Sequence, residues 1–516
     1  MVYVIILTAI VGALGLYYYF FKNLIYFKKH GVPYKTPLPI LGNMGPSIFR
    51  LQSIADLVKN TYDLHPEAKY VGLFDMIGPL IVIRDRDLIK SIVLKNFDLF
   101  PDRRTFIEAH QDPLFGKNLF ALKEERWRQE RPLLTPAFTS SKMKSMFKLM
   151  SEYGAEFSNN LTQLPAEKRK VMDIKDAFTR YTNDVIATCA FGITVDSMRN
   201  PKNEFYVYGK EATNFNNVAF IKMYMYRILP WLAQILKLRI VREQIANFFQ
   251  DLVETTIKIR DEKGIVRPDM LQLMMESRGK EGKELSTEDM VCQAFLFFFG
   301  GFDTTSTLMC FAAHEIAVNM EIQKKLQNEM DQVLEESNGQ APYEMVNNME
   351  YLDAVINEAL RRYPIASSLE RVCMKEFELP PTLPGRKPIT IKKGDTIWIP
   401  VYGLHHDPQY FEEPEKFDPE RFLGERKKES LNSGAYLPFG LGPRMCIGNR
   451  FALMETKVLL FHLLARCDLK TCEKTPSPLK LANDGFNMRP EGGFWLNVSP
   501  RENINHTVTV NKTCQI

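Results

Sequence analysis

Residues 439–448 read Phe-Gly-Leu-Gly-Pro-Arg-Met-Cys-Ile-Gly, and this stretch, here called the cysteine loop, decides the fold. Its three glycines and one proline exclude regular secondary structure and favour tight backbone turns. Cys446 lies inside the loop, and an apolar helix is predicted directly behind it over 449–466. Backbone N–H groups in such a loop, together with a helix N-terminus, stabilise negative charge on sulfur.

The residues alone leave three roles open for Cys446. A thiolate in this setting is a metal ligand or a nucleophile, whereas an ordinary lone cysteine is a small buried hydrophobe. A nucleophile needs a base, and the cysteine loop contains no histidine. The loop also lacks the G-K-[ST] of a P-loop and the G-x-G-x-x-G of a dinucleotide site, so a nucleotide site is not indicated.

The pattern F-x-x-G-x-R-x-C-x-G resembles the haem-thiolate loop of the cytochromes P450. The resemblance implies that Cys446 is the axial thiolate ligand to the iron of haem b, an arrangement that favours O–O cleavage. It also implies that Arg444 contacts a haem propionate and that Phe439 packs beside the sulfur. Gly440 and Gly448 are predicted to belong to the same cofactor-binding loop. The implied fold is mainly α with small β-sheets, the cytochrome P450 fold.

Two further motifs, both before the cysteine loop in the chain, agree with this resemblance. Glu358-Ala-Leu-Arg361 matches E-x-x-R, and Arg421 lies in the P-E-R-F element Pro419–Phe422. By resemblance, Glu358, Arg361 and Arg421 form a buried ion network, and removing one partner would leave a buried charge unpaired. Taken alone, an i,i+3 Glu–Arg pair decorates many solvated helices.

Further arginines are predicted to hold the haem propionates. Trp127 and Arg131 match W-x-x-x-R, and a spacing of four places both on one helical face. The resemblance implies that both contact the propionates and that Arg371 supplies another partner. The alternative reading of the Trp127 helix is a surface helix with a half-buried tryptophan.

Residues 300–305, Gly-Gly-Phe-Asp-Thr-Thr, lie in a long apolar stretch whose sole charge from Met290 to Ala313 is Asp303. We predict a core helix here, because a charge at mid-bilayer is expensive in a membrane span. The motif resembles the family's [AG]-G-x-[DE]-T-[TS]. The resemblance implies that the glycines open room over the haem, that Thr304 steadies dioxygen and that Asp303 organises proton delivery. Alternatively, Thr304 bonds back to a carbonyl one turn earlier and bends the helix.

The 516 residues suit one large globular body. Hydrophobic residues make up 45% and charged residues 25%, which excludes a disordered chain, a fibrous repeat and a multi-span membrane protein. A net charge of +4 indicates no nucleic-acid partner, and eight cysteines without a C-x-x-C indicate a reduced, intracellular chain.

Hydrophobic periodicity predicts a mostly helical body with a few strands. We predict a hairpin over 70–83, strands near 388–399 and 494–498, and helices over 123–130, 141–163, 172–191, 240–262, 268–277, 286–318, 322–336, 351–362 and 449–466.

The N-terminal segment predicts an uncleaved transmembrane anchor over 1–21. Val2 to Phe21 carries no charged residue, and about 20 apolar residues span a bilayer. The lysines that follow, with no acid before Asp56, predict a cytosolic body. We therefore expect an endoplasmic reticulum membrane protein with a basic, proline-rich hinge over 22–46, a catalytic domain over 47–500 on the cytosolic side and a flexible tail over 501–516.

The resemblance implies a monooxygenase that inserts one atom of dioxygen into an organic substrate. No dinucleotide fingerprint is present, so NADPH serves indirectly, through NADPH–cytochrome P450 reductase, and cytochrome b5 is a second expected partner. A basic docking face for an acidic reductase is predicted, with a merely solvated charged face as the alternative. Its members are Lys123, Arg126, Arg128, Arg450 and Lys457.

Lipophilic small molecules are the expected substrates, because the residues aligned with the pocket are aromatic and aliphatic. These residues are Phe106, Phe115, Phe120, Phe295, Phe299, Phe302, Ile365, Leu369 and Phe486. Phenylalanine at helical spacing is also ordinary core. The apolar segment 219–236 is predicted to dip into the membrane.

Within the family, Arg267-Pro-Asp-Met270 and the wording of the cysteine loop are most similar to insect microsomal enzymes that oxidise xenobiotics and insecticides. Two alternatives stay open: a haem-thiolate isomerase or dehydratase of oxygenated lipids, and a non-catalytic haem-binding sensor or carrier.

Overall fold

The computed structural model describes residues 2–21, 24–76, 78–104, 107, 109, 111–214, 217–278, 285–483 and 488–502. Every helix predicted from periodicity is present, with ends that differ by a few residues. Within the described ranges the α-helices are α1 (Val2–Phe21), α2 (Tyr26–His30), α3 (Gly45–Ile48), α4 (Ile54–Tyr62), α5 (Arg86–Lys90), α6 (Pro113–Gly116), α7 (Glu124–Leu134), α8 (Ser140–Gln163), α9 (Ala166–Lys170), α10 (Ile174–Ile186), α11 (Glu204–Thr213), α12 (Asn217–Ile228), α13 (Pro230–Ile235), α14 (Glu243–Lys263), α15 (Met270–Met275), α16 (Thr287–Val318), α17 (Met320–Glu336), α18 (Tyr343–Asn347), α19 (Glu350–Arg362), α20 (Val401–His405), α21 (Gly424–Asn432) and α22 (Asn449–Arg466).

The strands form small sheets at the margins of the helical body, so the predicted mainly α class is confirmed. They are β1 (Tyr70–Asp75), β2 (Gly78–Ile83), β3 (Met172–Asp173), β4 (Leu369–Val372), β5 (Phe377–Leu379), β6 (Ile389–Ile391), β7 (Thr396–Ile399), β8 (Cys467–Lys470) and β9 (Trp495–Pro500). The sheet orders are β1-β2-β7-β4, β3-β9-β8 and β5-β6. β1 and β2 form the predicted hairpin, in which Tyr70 pairs with Ile83.

Helix α16 runs through the centre of the body. It has 32 residues and is therefore about 48 Å long. Ser286 and Asp289 form a capping box at its start, which satisfies N–H groups that the helix leaves unbonded. The helix is apolar enough to cross a membrane, but 67% of its most apolar window is buried inside the protein. It packs against α10, α14 and α22, as expected for a core helix.

Part of the segment predicted as a basic, proline-rich hinge over 22–46 packs on the β-sheet. Phe27 of α2 is fully buried, and its ring packs against that of Phe74 in β1 with centroids 5.1 Å apart. Phe74 N–H donates to Asn43 Oδ1 at 2.7 Å, and Asn43 N–H donates to Phe74 O at 2.7 Å. The buried aromatic ring and the strand-like hydrogen bonds hold this segment against the sheet.

The two ends of the chain differ in how far the structure describes them. α1 covers 20 residues, or about 30 Å, and its described side chains are exposed. At the other end, Arg501 forms an ion pair with Asp331 at 2.7 Å, so this residue is held by the body. Residues 503–516 of the predicted tail lie outside the described residues.

Candidate active site

The cysteine loop folds into tight turns that only glycine fits easily. Gly440 and Gly442 have φ angles of 83° and 78°, in the left-handed region that side chains disfavour. A Cβ on Gly442 would also collide with the carbonyl oxygen of Val93. Cys446 N–H donates to Phe439 O at 2.9 Å, which closes the loop and brings the two predicted haem contacts together.

The Cys446 thiol keeps accessible surface although protein atoms surround it densely. The residue is exposed, yet burial raises the pKa of its thiol above the usual range. The Gly448 N–H and the guanidinium groups of Arg103 and Arg131 oppose this rise in the pKa of the thiol. A thiol in this environment is protonated until a metal ion binds, because coordination deprotonates the sulfur.

Four arginines form a cluster at the cysteine loop: Arg103 and Arg131 lie near Cys446, Arg444 belongs to the loop, and Arg371 lies near Arg103 and Arg444. Burial and mutual repulsion lower the pKa of Arg371 to about 9 and that of Arg444 to about 9. Burial also lowers the pKa of Arg103 to about 10. The Nε of Arg371 is buried without a hydrogen-bond partner among the described residues. Such a cluster of cations fits a ligand with two carboxylates, since anions would relieve the repulsion and satisfy this donor.

Arg444 and Trp127 are placed together, but Arg444 is strongly engaged by protein groups. Its guanidinium stacks over the Trp127 ring at 4.1 Å from the centroid. It also pairs with Asp102 at 3.0 Å and donates to Pro101 O at 2.7 Å and Leu122 O at 2.8 Å. In the described structure Arg444 therefore joins the cysteine loop to the segment before α7, and Arg371 is the arginine with a free donor.

The predicted ion network is assembled behind the cysteine loop. Arg361 donates through Nε and Nη2 to the two oxygens of Glu358, each at 2.8 Å, and both residues are fully buried. Arg421 Nε lies 3.5 Å from Glu358 Oε1. His405 adds a reciprocal link, because Arg361 Nη1 donates to His405 O at 2.9 Å and His405 Nδ1 bonds Arg361 O at 2.9 Å. His405 Nε2 accepts from Leu437 N–H at 2.9 Å, which ties the network to the chain just before the cysteine loop.

The acid–alcohol pair lies on one open face of α16. Nothing lies within 4 Å of the position that a Cβ on Gly300 would occupy. Thr304 Oγ1 donates to the Gly300 carbonyl, so the predicted back-bond is present and the hydroxyl oxygen remains an acceptor. Asp303 Oδ1 pairs at 2.8 Å with Lys175 Nζ of α10, which also donates to Ser306 Oγ at 2.7 Å.

The predicted pocket residues divide into those near the site and those in the core. Phe106 and Phe486 lie outside the described residues. The side chain of Leu369 lies against Gly440 of the cysteine loop, and Phe115 packs edge to face on Phe299 at 5.2 Å. The members that retain some exposed surface are Phe115, Phe120, Phe299, Ile365 and Leu369.

Phe295 and Phe302, also predicted to line the pocket, are both buried in the aromatic core, and Phe295 also contacts Phe115 with centroids 5.5 Å apart. Phe302 is 1% exposed and packs on Phe298, with centroids 4.9 Å apart. Phe295 is fully buried and packs on Phe249 at 5.3 Å. At about 100° per residue, Phe302 points about 200° away from Gly300, on the opposite side of α16. Because apolar residues occur on every side of α16, its sequence does not show which face packs against the core.

The predicted basic docking face is also corrected. Lys457 is 6% exposed, and its Nζ pairs with Asp353 at 3.0 Å inside the body. Arg126 pairs with Glu130 at 2.8 Å, and Arg128 pairs with Asp98 at 2.8 Å. These pairs reduce the net positive charge of the face. Lys457 is thus the buried member, and the exposed members are Lys123, Arg126, Arg128 and Arg450.

Sequence reasoning missed three charged residues at the site: Asp102, Arg103 and Lys175. Their partners are distant in sequence, as for Arg103 Nη2, which donates to Arg444 O at 2.9 Å. The only local signal is the charged run Asp102–Arg104 after an apolar stretch. The thiol, the arginine cluster with its free donor and the open face at Gly300 together fit a haem with two propionates.

Comparisons with known proteins agree with this fit. A family model described as Cytochrome P450 matches residues 32–497. The chain is 45% identical to Cytochrome P450 9e2 of Blattella germanica over 509 residues, covering 93% of this chain and 94% of the relative. It is 40% identical to Probable cytochrome P450 9f2 of Drosophila melanogaster over 513 residues, covering 96% and 98%. It is 38% identical to Cytochrome P450 3A11 of Mus musculus over 492 residues, covering 93% of each. The predicted family resemblance and its insect character are confirmed.

Proposed function

The chain belongs to the cytochrome P450 family and is a haem-thiolate monooxygenase, and from this premise we propose that it oxidises lipophilic foreign compounds, insecticides among them. One atom of dioxygen enters the substrate and the other leaves as water, with two electrons and two protons. We propose that NADPH supplies the electrons through NADPH–cytochrome P450 reductase, with cytochrome b5 as a second donor. The observation that carries the proposal is the Asp303–Thr304 pair on the open face of α16.

Each site residue has a defined task in this proposal. The haem supplies the redox chemistry of dioxygen when bound, with Cys446 as its thiolate ligand. Arg371, with its free buried Nε, binds a propionate, and Arg103 contributes charge beside it. Thr304 offers a hydroxyl oxygen as a hydrogen-bond acceptor in the open space. Asp303 holds and passes protons from the side of α10, where Lys175 fixes its carboxylate at 2.8 Å.

Delivery of substrates from the endoplasmic reticulum membrane is supported by two apolar surfaces. α1 is long enough to span a bilayer, with the body on the cytosolic side. The segment 219–236 presents Trp231 at 58% exposure and Ile235 at 68% exposure, a cost in water that a lipid surface removes. Lipophilic compounds that partition into the bilayer would reach the site through this face.

The alternative functions make different predictions. An isomerase or dehydratase turns over without reductase and has no use for an acid–alcohol pair, and a sensor or carrier gives no oxidation product. Product formation from a panel of lipophilic insecticides, with and without NADPH and purified reductase, distinguishes the three. Turnover without reductase would support the isomerase, and no product with any compound would support the carrier.

The haem-thiolate assignment has a direct spectroscopic test. We expect the thiolate-type Soret shift in the reduced carbon-monoxide difference spectrum of the purified chain. Cys446→Ala should abolish this shift. Cys472→Ala is the matched control, since this partly exposed cysteine lies next to Thr475, away from the cysteine loop. A thiolate-type shift that survives in Cys446→Ala would overturn the assignment.

A further inference from the structure

Gln293 joins three elements around the site, although no motif singles it out. Its side chain on α16 is fully buried. The amide oxygen accepts from Leu119 N–H at 2.9 Å. The amide nitrogen donates to Lys117 O at 3.2 Å and to Glu130 Oε2 at 2.8 Å. The amide thus fastens the segment 117–122 and helix α7 to the long central helix.

The cysteine loop holds the other side of the same segment. Arg444 donates to Leu122 O at 2.8 Å and lies 3.5 Å from Leu119 O. The backbone N–H and C=O of Leu119 therefore bond to two different walls of the site, α16 and the cysteine loop. Because both backbone groups of Leu119 are hydrogen-bonded, the side chain of the following residue has little freedom to change its position.

That next side chain is Phe120, which lies against an arginine of the site. The residue is 58% exposed, and the Arg103 guanidinium stacks on its ring at 4.3 Å from the centroid. Arg103 is one of the four arginines at the cysteine loop. Asn118 Oδ1 accepts from Phe120 N–H at 3.1 Å, which fixes the backbone of this residue. An exposed aromatic ring held rigidly at the edge of a binding site selects ligands by shape.

We propose that Gln293 is a positioning residue that acts through the segment 117–122 to hold Phe120, and so sets which lipophilic ligands fit beside the iron. Loss of the amide removes the Gln293 partner from Leu119 N–H, Lys117 O and Glu130 Oε2 at once, while Glu130 Oε1 keeps Arg126 at 2.8 Å. Unpaired buried groups are costly, so the segment relaxes until water reaches them. The proposal rests on the haem lying at Cys446, as in the proposed function.

Two azoles of different size test the proposal on the haem-loaded full chain. Imidazole ligates iron without filling the pocket, whereas 4-phenylimidazole must place its phenyl ring beside the iron. For Gln293→Leu, absorbance titration should show about tenfold weaker binding of 4-phenylimidazole, because the relaxed segment no longer holds Phe120 in place. Imidazole binding should be nearly unchanged. Phe120→Ala should have a similar selective effect, and adding Gln293→Leu to it should change nothing more.

A reciprocal pair of variants covers the case in which Gln293→Leu does not load haem. Gln293→Glu places a carboxylate next to Glu130, so 4-phenylimidazole binding should weaken. Adding Glu130→Gln exchanges donor and acceptor, and binding should recover. Equal weakening of both azoles, additivity with Phe120→Ala or failure of the rescue would overturn the proposal. Absence of any imidazole shift in the wild-type chain would overturn the haem assignment instead.

Discussion

Glu358 on α19 and Glu455 on α22 are equally buried, at 0% and 1% exposure, yet the structure treats their charges in opposite ways. Glu358 accepts two hydrogen bonds from Arg361 and one from Asp418 N–H at 3.0 Å. Neither oxygen of Glu455 has a hydrogen-bond partner in the described part of the chain, and burial raises the pKa of this carboxyl well above its usual value. The partner, and not burial, decides whether an interior acid carries charge.

Asp303 stands between these two extremes. Its side chain is 21% exposed, and Lys175, at 28% exposure, is its ion-pair partner. Asp303 and Lys175 are both partly exposed, so water reaches this pair, whereas Glu358 and Glu455 lie in the dry interior.

The largest expected effect comes from breaking the network of Glu358. Arg361→Leu leaves the Glu358 carboxylate with Arg421 at 3.5 Å as its remaining ion-pair partner among the described residues. Breaking a buried pair costs about 3–5 kcal/mol in the free energy of unfolding. Urea unfolding of the haem-loaded chain, followed by Soret absorbance, measures this loss. Arg426→Leu is the control, since this arginine is 46% exposed. Equal losses of stability in Arg361→Leu and Arg426→Leu would contradict the conclusion that the buried pair contributes more than an exposed one.

Asp303→Asn tests the intermediate acid. The amide cannot deliver a proton, so we expect product formation to fall by about 100-fold. The carbon-monoxide spectrum should remain of the thiolate type, because Asp303 does not touch the cysteine loop. Product and hydrogen peroxide are measured per NADPH consumed. Asp98→Asn is the control, with a side chain at 82% exposure. Unchanged product yield in Asp303→Asn would remove this residue from the proton path.

Lys175→Met removes the partner and keeps the acid. Lys175 Nζ bonds Asp303 Oδ1 and also Thr307 Oγ1 at 2.7 Å. A partly exposed pair contributes about 0.2–1 kcal/mol, so we expect a fall in product per NADPH of about fivefold at most. Lys175→Arg should keep most of the wild-type product yield per NADPH, because the arginine retains the positive charge. Lys210→Met is the control, since this lysine pairs with Asp176 at 60% exposure. A loss as large as that of Asp303→Asn would mean that the lysine itself carries the proton.

The motif residues were predictable because their signal is local. The glycines of the cysteine loop, the spacing of Glu358 and Arg361 and the capping box at Ser286 are each readable within ten residues. The contacts of Gln293 and Lys175 were not predictable from the sequence. Lys175 and Asp303, for example, are 128 residues apart in the chain, and only the fold brings them together. The burial of Phe302 could not be predicted, because apolar residues occur on every side of α16. The contact of Phe27 with the sheet could not be predicted either, because its partner Phe74 lies far along the chain.

At pH 7 the same substitution in the two buried glutamates should change stability with opposite signs, which is the sharpest test of the comparison. Glu358→Gln removes charge-assisted hydrogen bonds, so the free energy of unfolding should fall by about 1.5–3 kcal/mol. Glu455→Gln replaces a neutral acid by a neutral amide and should leave stability at pH 5 almost unchanged. Above the ordinary glutamate pKa the unfolded chain releases this proton and the folded chain keeps it.

Stability contributed by Glu455 therefore falls as pH rises from about 4.5 towards its raised folded pKa, by up to about 1.4 kcal/mol per pH unit. Glu455→Gln removes this slope, so at pH 7 the variant should be more stable than the wild-type chain. Urea unfolding at pH 5, 6 and 7 measures both slopes. If the free energies of unfolding of the wild-type chain and of Glu455→Gln change with pH in parallel, Glu455 is ionised in the folded chain. The two glutamates would then differ in their partners and not in their charge.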